Sequence, residues 1–284
     1  MANKTSKDGK ETIRLAEFDL DGVFKPISDI EKSTIVSLSN YLCDNDYIDR
    51  VYADEIERLN ADYVNSKRGM SYEEAMKNRN KIANEIYKTF GDAIRNNSVI
   101  GTRHRVNLYV KEDLEDNLNN NIIRAKEIAG EKGYYTVLLS LNFESLLETL
   151  TREDYLDMDD FSGMDYRKKL VNTEEGEIRE YKKERVRDLT KGRKKGILHD
   201  MMEIKLSKEY NIDWDNSFLV EDRITPALED VGNPILLHPG EETRKRAEER
   251  GYSIVESPEE LIEFIDNLTI HLNDEEESEN IVTV

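Results

Sequence analysis

The sequence predicts an α/β fold: a parallel, doubly wound sheet flanked by helices and interrupted early by an all-helical insertion. Three features of the 284-residue chain lead there. Short apolar runs alternate with long helical stretches, as expected of strands buried on both faces and joined by crossovers. One gap between such runs is far too long for a crossover and repeats its apolar residues at helical spacing. The runs end in acids and a serine, which a sheet of this kind gathers outside the carboxyl ends of its strands.

In chain order, IRLAEFDL (13–20) reads as the first strand and YYTVLLSL (134–141) as the second. SFLVED (217–222), NPILLHP (233–239) and YSIVE (252–256) complete the sheet. Between the first two, apolar side chains recur as Ile35, Leu38, Leu42; Tyr52, Ile56, Leu59, Tyr63; and Ile82, Ile86, Phe90. That period, without a proline from about 29 to 105, predicts a module of three or four helices. One of them should start at Ser71, capped there and followed by acids as its first turn begins. Residues 160–190 carry EEGE between two β-like runs and read as a hairpin extension. The layout is therefore a flexible N-terminus (1–10), a core built from 11–28 and 106–271, a helical insertion over 29–105, and an acidic disordered tail over 272–284.

Composition limits the partners. Apolar residues make up 37% and charged residues 36% of the chain, and the mean hydropathy is −0.73, so the surface should be heavily charged around a real core. Sixty-one acids against 41 Lys and Arg give a formal charge of −20, which repels nucleic acid and anionic membranes. Cys43 stands alone, so no internal disulfide forms; it reads as a small half-buried apolar residue in a reducing cytoplasm. No run resembles a signal peptide or approaches the ~18 apolar residues of a membrane span. The cytoplasm is thus the expected location. His104, His199, His238 and His271 have no ligand spacing, which argues against zinc.

The strand ends carry the chemistry. Asp19-Leu20-Asp21-Gly22 closes the first strand, Ser140 the second and Glu221-Asp222 the third; Lys191, Arg193, Lys194 and Lys195 precede the helix that leads to the third. A carboxylate, a second carboxylate two residues on, a hydroxyl, a lysine and another acid form a set suited to phosphoryl transfer. Asp19 can attack phosphorus. Asp21 can protonate the leaving oxygen and then activate water. Ser140 and a lysine can hold phosphate oxygens, and Asp222 can share a Mg²⁺ with Asp19. Each has a plainer alternative: a solvated strand exit for the DLDG corner, a helix cap for Ser140, and a solvated face for the lysines. The tyrosines of the insertion, Tyr47, Tyr52, Tyr63, Tyr72 and Tyr87, read as core, and Arg68 is the cation of the insertion placed to meet a substrate.

DLDGV, VLLSLN, GRKKGIL and the stretch FLVEDRITPALEDVGNPILLHP appear in the order of the four motifs of the haloacid dehalogenase (HAD) superfamily. The chain resembles that superfamily from about 12 to 265, and within it the phosphoserine-phosphatase-like branch. The resemblance implies a Rossmann-like core, with the insertion as a helical cap. It also implies a Mg²⁺-dependent phosphatase acting on a small phosphorylated metabolite, with Asp19 as nucleophile and Asp21 as general acid and base. Ser140, Asn142 and Lys194 or Lys195 would contact phosphate, and Asp19, the Asp21 carbonyl, Asp222 and Glu221 would hold the metal. Where the fourth motif has a second acid four or five residues on, this chain has Pro226 and Ala227, and Arg223 replaces the usual serine. A phosphomutase of the superfamily and a catalytically weak HAD-like binding protein are the alternatives.

Overall fold

The computed structural model describes residues 9–26, 33–66, 70–173, 176–185 and 197–268. The lysine cluster at 191–195, Arg68 and the tail from 272 lie outside them. Six parallel strands form the central sheet, in the order β10 (Ser253–Val255), β9 (Asn233–Leu237), β8 (Phe218–Glu221), β2 (Leu15–Phe18), β3 (Tyr135–Phe143) and β4 (Asp160–Met164). All five anticipated strand regions contribute to it.

Two details differ from the sequence reading. The first apolar run is split at Arg14: Glu11–Ile13 forms a separate strand, β1, which pairs with β7 (Tyr210–Ile212), and only Leu15–Phe18 enters the main sheet. The stretch DFSGM, expected in the hairpin, is the edge strand β4. Only β5 (Tyr166–Thr173) and β6 (Gly176–Arg185) form the antiparallel pair. Gly163 allows β4 to lie close to β3, because a Cβ there would fall 2.9 Å from the Asn142 carbonyl and 2.3 Å from Leu147.

Side chains of the sheet alternate between two cores. Ala16, Phe18, Leu138, Phe218, Val220 and Ile235 face one side, where Ile122 and Ala125 of α5 (Asn120–Glu131) and Leu261 and Ile265 of α9 (Pro258–Asn267) cover them. Leu15, Val137, Leu139, Leu219 and Leu236 face the other. There they meet Met202 and Leu206 of α7 (Ile197–Leu206) and Ala247 of α8 (Glu241–Arg250). Both faces are dry, so the strands read as continuous apolar runs.

Between β2 and β3 lie α1 (Thr34–Asp44), α2 (Arg50–Asn65), α3 (Tyr72–Ala93) and α4 (Val99–Tyr109), the last continued by a π-helical turn over Val110–Leu114. Most of the predicted stripe is buried: Ile35, Leu38, Leu42, Ile56, Leu59, Ile86 and Phe90 are closed to solvent, while Tyr52, Tyr63 and Ile82 are half-buried. The capping box of Ser71 and Glu74 is also present, with each residue bonding the other's backbone N–H. These helices share one apolar core with the α5/α9 face of the sheet, which fixes the insertion over the carboxyl ends of the strands. Cys43 is buried within that core.

Candidate active site

Register alone brings the acids together. Phe18 pairs with Leu138 on one side and Val220 on the other, so Asp19 follows directly beside Glu221, its backbone N–H donating to the Val220 carbonyl at 3.1 Å. Carboxylate oxygens of Asp19, Glu221 and Asp222 all lie within 4.8 Å of one another. Asp19 is 5% and Glu221 6% exposed. Burial pushes the Asp19 carboxyl up to about 7, with Arg223 opposing and the charges of Asp222 and Asp21 adding to the rise. Burial, then the Asp19 charge, raises Glu221 further, while Thr225 Oγ1 donates to its Oε1 at 3.0 Å. Three acids are thus held together against burial and their mutual repulsion.

Gly22 makes the corner possible. Its φ is +95°, a left-handed value, and a Cβ would stand 2.6 Å from Asp222 Cγ. The chain then folds back, Gly22 N–H donating to the Lys25 carbonyl at 2.7 Å and Lys25 N–H to that of Leu20 at 2.8 Å. This turn carries Asp21 away from the acid cluster. Its carboxylate accepts from the Thr34 N–H at 3.0 Å, from the Thr34 hydroxyl, and from Asn142 Nδ2 at 3.0 Å. Asp19 Oδ1 instead accepts from the Leu20 N–H at 2.8 Å, and Asp19 also bonds Ser140.

Ser140 lies inside β3, not at its end, next to the irregularity in pairing between Leu139 and Phe143. It does not cap the following helix: α6 (Glu144–Leu150) is preceded by Phe143, with no side-chain cap. Its hydroxyl accepts from Asn142 Nδ2 at 3.1 Å instead, linking Asp19, Ser140, Asn142 and Asp21 in one buried chain of bonds. The structure therefore brings together Asp19, Asp21, Ser140, Asn142, Glu221 and Asp222. Lys194 and Lys195 fall in the stretch outside the described residues, immediately before α7.

Sequence reasoning missed Thr34, which has no motif around it, and the role of Arg223, visible there only as a departure. Arg223 lies between the acids and the insertion: Nε is 3.7 Å from Asp222 Oδ1, and Nη1 donates to the Tyr63 hydroxyl on α2. Tyr63 is therefore a junction residue, not simply core. Two other phenols of the insertion sense the site: burial, then the Asp21 charge, raises both Tyr87 of α3 and Tyr109 of α4. A further buried cluster, also missed, lies one pleat upstream. His199 of α7 sits with Nε2 2.7 Å from Glu17 and Nδ1 2.9 Å from Asp230.

A parallel sheet with its acids at the carboxyl ends of adjacent strands, under a helical insertion between the first two strands of the sheet, decides the fold. The chain has a Rossmann-like α/β fold with a helical insertion. A Bordetella pertussis protein of unknown function superposes with a TM-score of 0.61 at 16% identity, over 86% of this chain and 99% of that one. A phosphoserine phosphohydrolase-like protein from Francisella tularensis gives 0.49 at 14% identity, over 89% and 99% of the two chains. A phosphoserine phosphatase in its apo form gives 0.49 at 10%, over 90% and 100%. No family model matches the chain, and no curated protein does. Among the described residues, no helix is long and apolar enough to cross a membrane.

Proposed function

We propose that the protein is a Mg²⁺-dependent phosphomonoester hydrolase of the cytoplasm, acting on a small phosphorylated metabolite through an aspartyl-phosphate. The carrying observation is the contrast between two carboxylates one residue apart. Asp19 is buried among acids that raise its pKa, whereas Asp21 is held by Thr34 and Asn142. One is suited to attack and the other to handle a proton, the division that a two-step displacement requires.

Asp19, Glu221 and Asp222 fit a small hard cation: the donors are all carboxylate oxygens, closely grouped, and their mutual repulsion leaves a net demand for positive charge. Bound there, Mg²⁺ would neutralise the acids and polarise a phosphoryl oxygen. The chain's own residues supply the rest. Asp19 is oriented by the Leu20 N–H and attacks phosphorus, forming the O–P bond as the ester oxygen leaves. Asp21 gives that oxygen its proton, then takes one from the water that cleaves the acyl phosphate. Ser140 and Asn142, with Lys194 or Lys195 from the stretch that precedes α7 in sequence, would bind the transferred group. The helical insertion acts as a cap, and its phenols exclude bulk water.

Phosphate release from an aryl phosphate, with Mg²⁺ and with chelator, tests this reading directly. Release that requires both the metal and Asp19 supports it. Undiminished release by a folded Asp19→Asn protein removes Asp19 as nucleophile.

A further inference from the structure

The hairpin of β5 and β6 ties the insertion to the sheet, and the two ends of that tie differ in chemistry. On the insertion side the bonds are neutral. The Tyr166 hydroxyl of β5 donates to the Tyr87 carbonyl of α3 at 2.5 Å, the Tyr181 N–H of β6 to the Asn97 carbonyl at 3.1 Å, and the Asn96 N–H to the Tyr181 carbonyl at 3.0 Å. On the sheet side the tie is made by acids. Glu144, the first residue of α6, bonds Asp165, the single residue between β4 and β5. Lys168 of β5 reaches both, with Nζ 3.4 Å from Glu144 Oε2 and 3.0 Å from Asp165 Oδ1, and that Asp165 oxygen is closed to solvent.

One lysine cannot balance two carboxylates, and the surrounding charges are engaged elsewhere. Glu148, one turn further along α6, pairs with Arg103 of α4 at 2.7 Å. The Tyr181 phenol bonds Ser145 at 3.0 Å, and its ring centre lies 5.9 Å from Lys168 Nζ. In the π-helical turn that also packs on α6, Lys111, Glu112 and Asp113 are exposed, and Glu112 accepts from Tyr41. Two ionised carboxylates in contact repel each other, whereas one proton held between them replaces repulsion with a hydrogen bond and leaves a single charge for Lys168. Burial first, then the bond to Asp165 and its charge, push the Glu144 carboxyl up to about 7, with Lys168 opposing.

We propose that Glu144 and Asp165 share a proton and so form a pH-operated joint that fastens the hairpin, and through it the insertion, to the sheet. Docked Glu144 holds its proton more tightly than an ordinary carboxyl near 4.5. The joint is therefore firmest below about pH 4.5 and loosens as pH rises towards 7, where the docked pair also ionises and the trend levels off. No residue of the Asp19 cluster takes part, so the joint stands or falls apart from the phosphatase reading.

Amide hydrogen exchange of the full chain between pH 5 and 7.5, corrected for the intrinsic rate at each pH, tests it at the Asn96 and Tyr181 amides, which hold the seam. The quantity read is the protection in Glu144→Gln divided by that in the unaltered protein, because Gln keeps a bond to Asp165 without needing a proton. That ratio should be smallest at pH 5 and grow by roughly tenfold to a hundredfold by pH 7.5. In Asp165→Asn, which leaves Glu144 beside Lys168 without a second charge, protection should depend on pH less than in the unaltered protein. A Glu144→Gln ratio constant with pH, as a merely structural contact would give, overturns the joint. So does a pH dependence that Asp165→Asn leaves undiminished, and this second comparison decides alone if Glu144→Gln does not fold.

Discussion

Strand β2 and its continuation carry two acidic clusters two residues apart, and they solve the problem of buried charge in opposite ways. At Glu17 the carboxylate, fully closed to solvent, meets the His199 imidazole, which Asp230 holds from its other nitrogen. Burial alone would push that imidazole down. The Glu17 charge and the bonds to both acids outweigh it and hold the pKa up at about 9. At Asp19, among the described residues, three acids share Arg223, itself tied to Tyr63. The first cluster is compensated within the chain and serves the fold, pinning α7 to β2. Among the described residues the second keeps its acids raised by burial and mutual repulsion, the pattern the proposed cation and phosphoryl site calls for.

The largest expected effect separates the clusters by activity. Asp19→Asn should cut phosphate release by about ten-thousandfold or more while leaving the melting temperature equal or higher, because it removes a charge the fold holds at a cost. A clear drop in melting temperature would mean that Asp19 is structural too. His199→Gln should do the reverse, costing about 3 to 5 kcal/mol in denaturant unfolding because it leaves Glu17 buried without its partner. Survival of full stability would show that the cluster carries no charge.

The same imidazole predicts a pH dependence. Its folded pKa lies above the ordinary 6.5, so its stabilisation is complete below about pH 6.5 and is lost as pH rises through about 9. The loss should be on the order of 3 kcal/mol, read from urea midpoints across that window and absent in His199→Gln. Gly22→Ala should cost about 1 to 3 kcal/mol, as a Cβ at φ +95° meets Asp222, and should lower activity as well. Thr34→Val, the mildest change, should slow turnover several-fold by removing one of three donors to Asp21, with stability down about 1 kcal/mol.

Much of this was legible in the sequence. Buried strands need long apolar runs, and acids at their ends stand out, so Asp19, Asp21, Glu221 and Asp222 could be read directly, whereas Ser140 was placed at a strand end that runs on to Phe143. The period of Ile56, Leu59, Ile86 and Phe90 revealed the insertion for the same reason. DFSGM was misread because an edge strand with an acid and a glycine resembles a hairpin arm. The His199 cluster left no trace, since its acids lie 182 and 31 positions away and no spacing rule joins them. Tyr63 fits a helical stripe whether it packs inward or reaches across a seam, and only the position of Arg223 distinguishes the two.

The place of β2 in the sheet has a consequence for how the chain is made. Its neighbours are β3 and β8, and β8 begins at Phe218, some 200 residues after β2 ends. At a ribosomal pace of about 5 to 20 residues per second, one edge of β2 waits roughly 10 to 40 s for its partner, with Glu17 and Asp19 unmatched throughout. The acids that β2 carries in the finished fold also protect it in that interval, because a charged open edge resists pairing with another nascent chain.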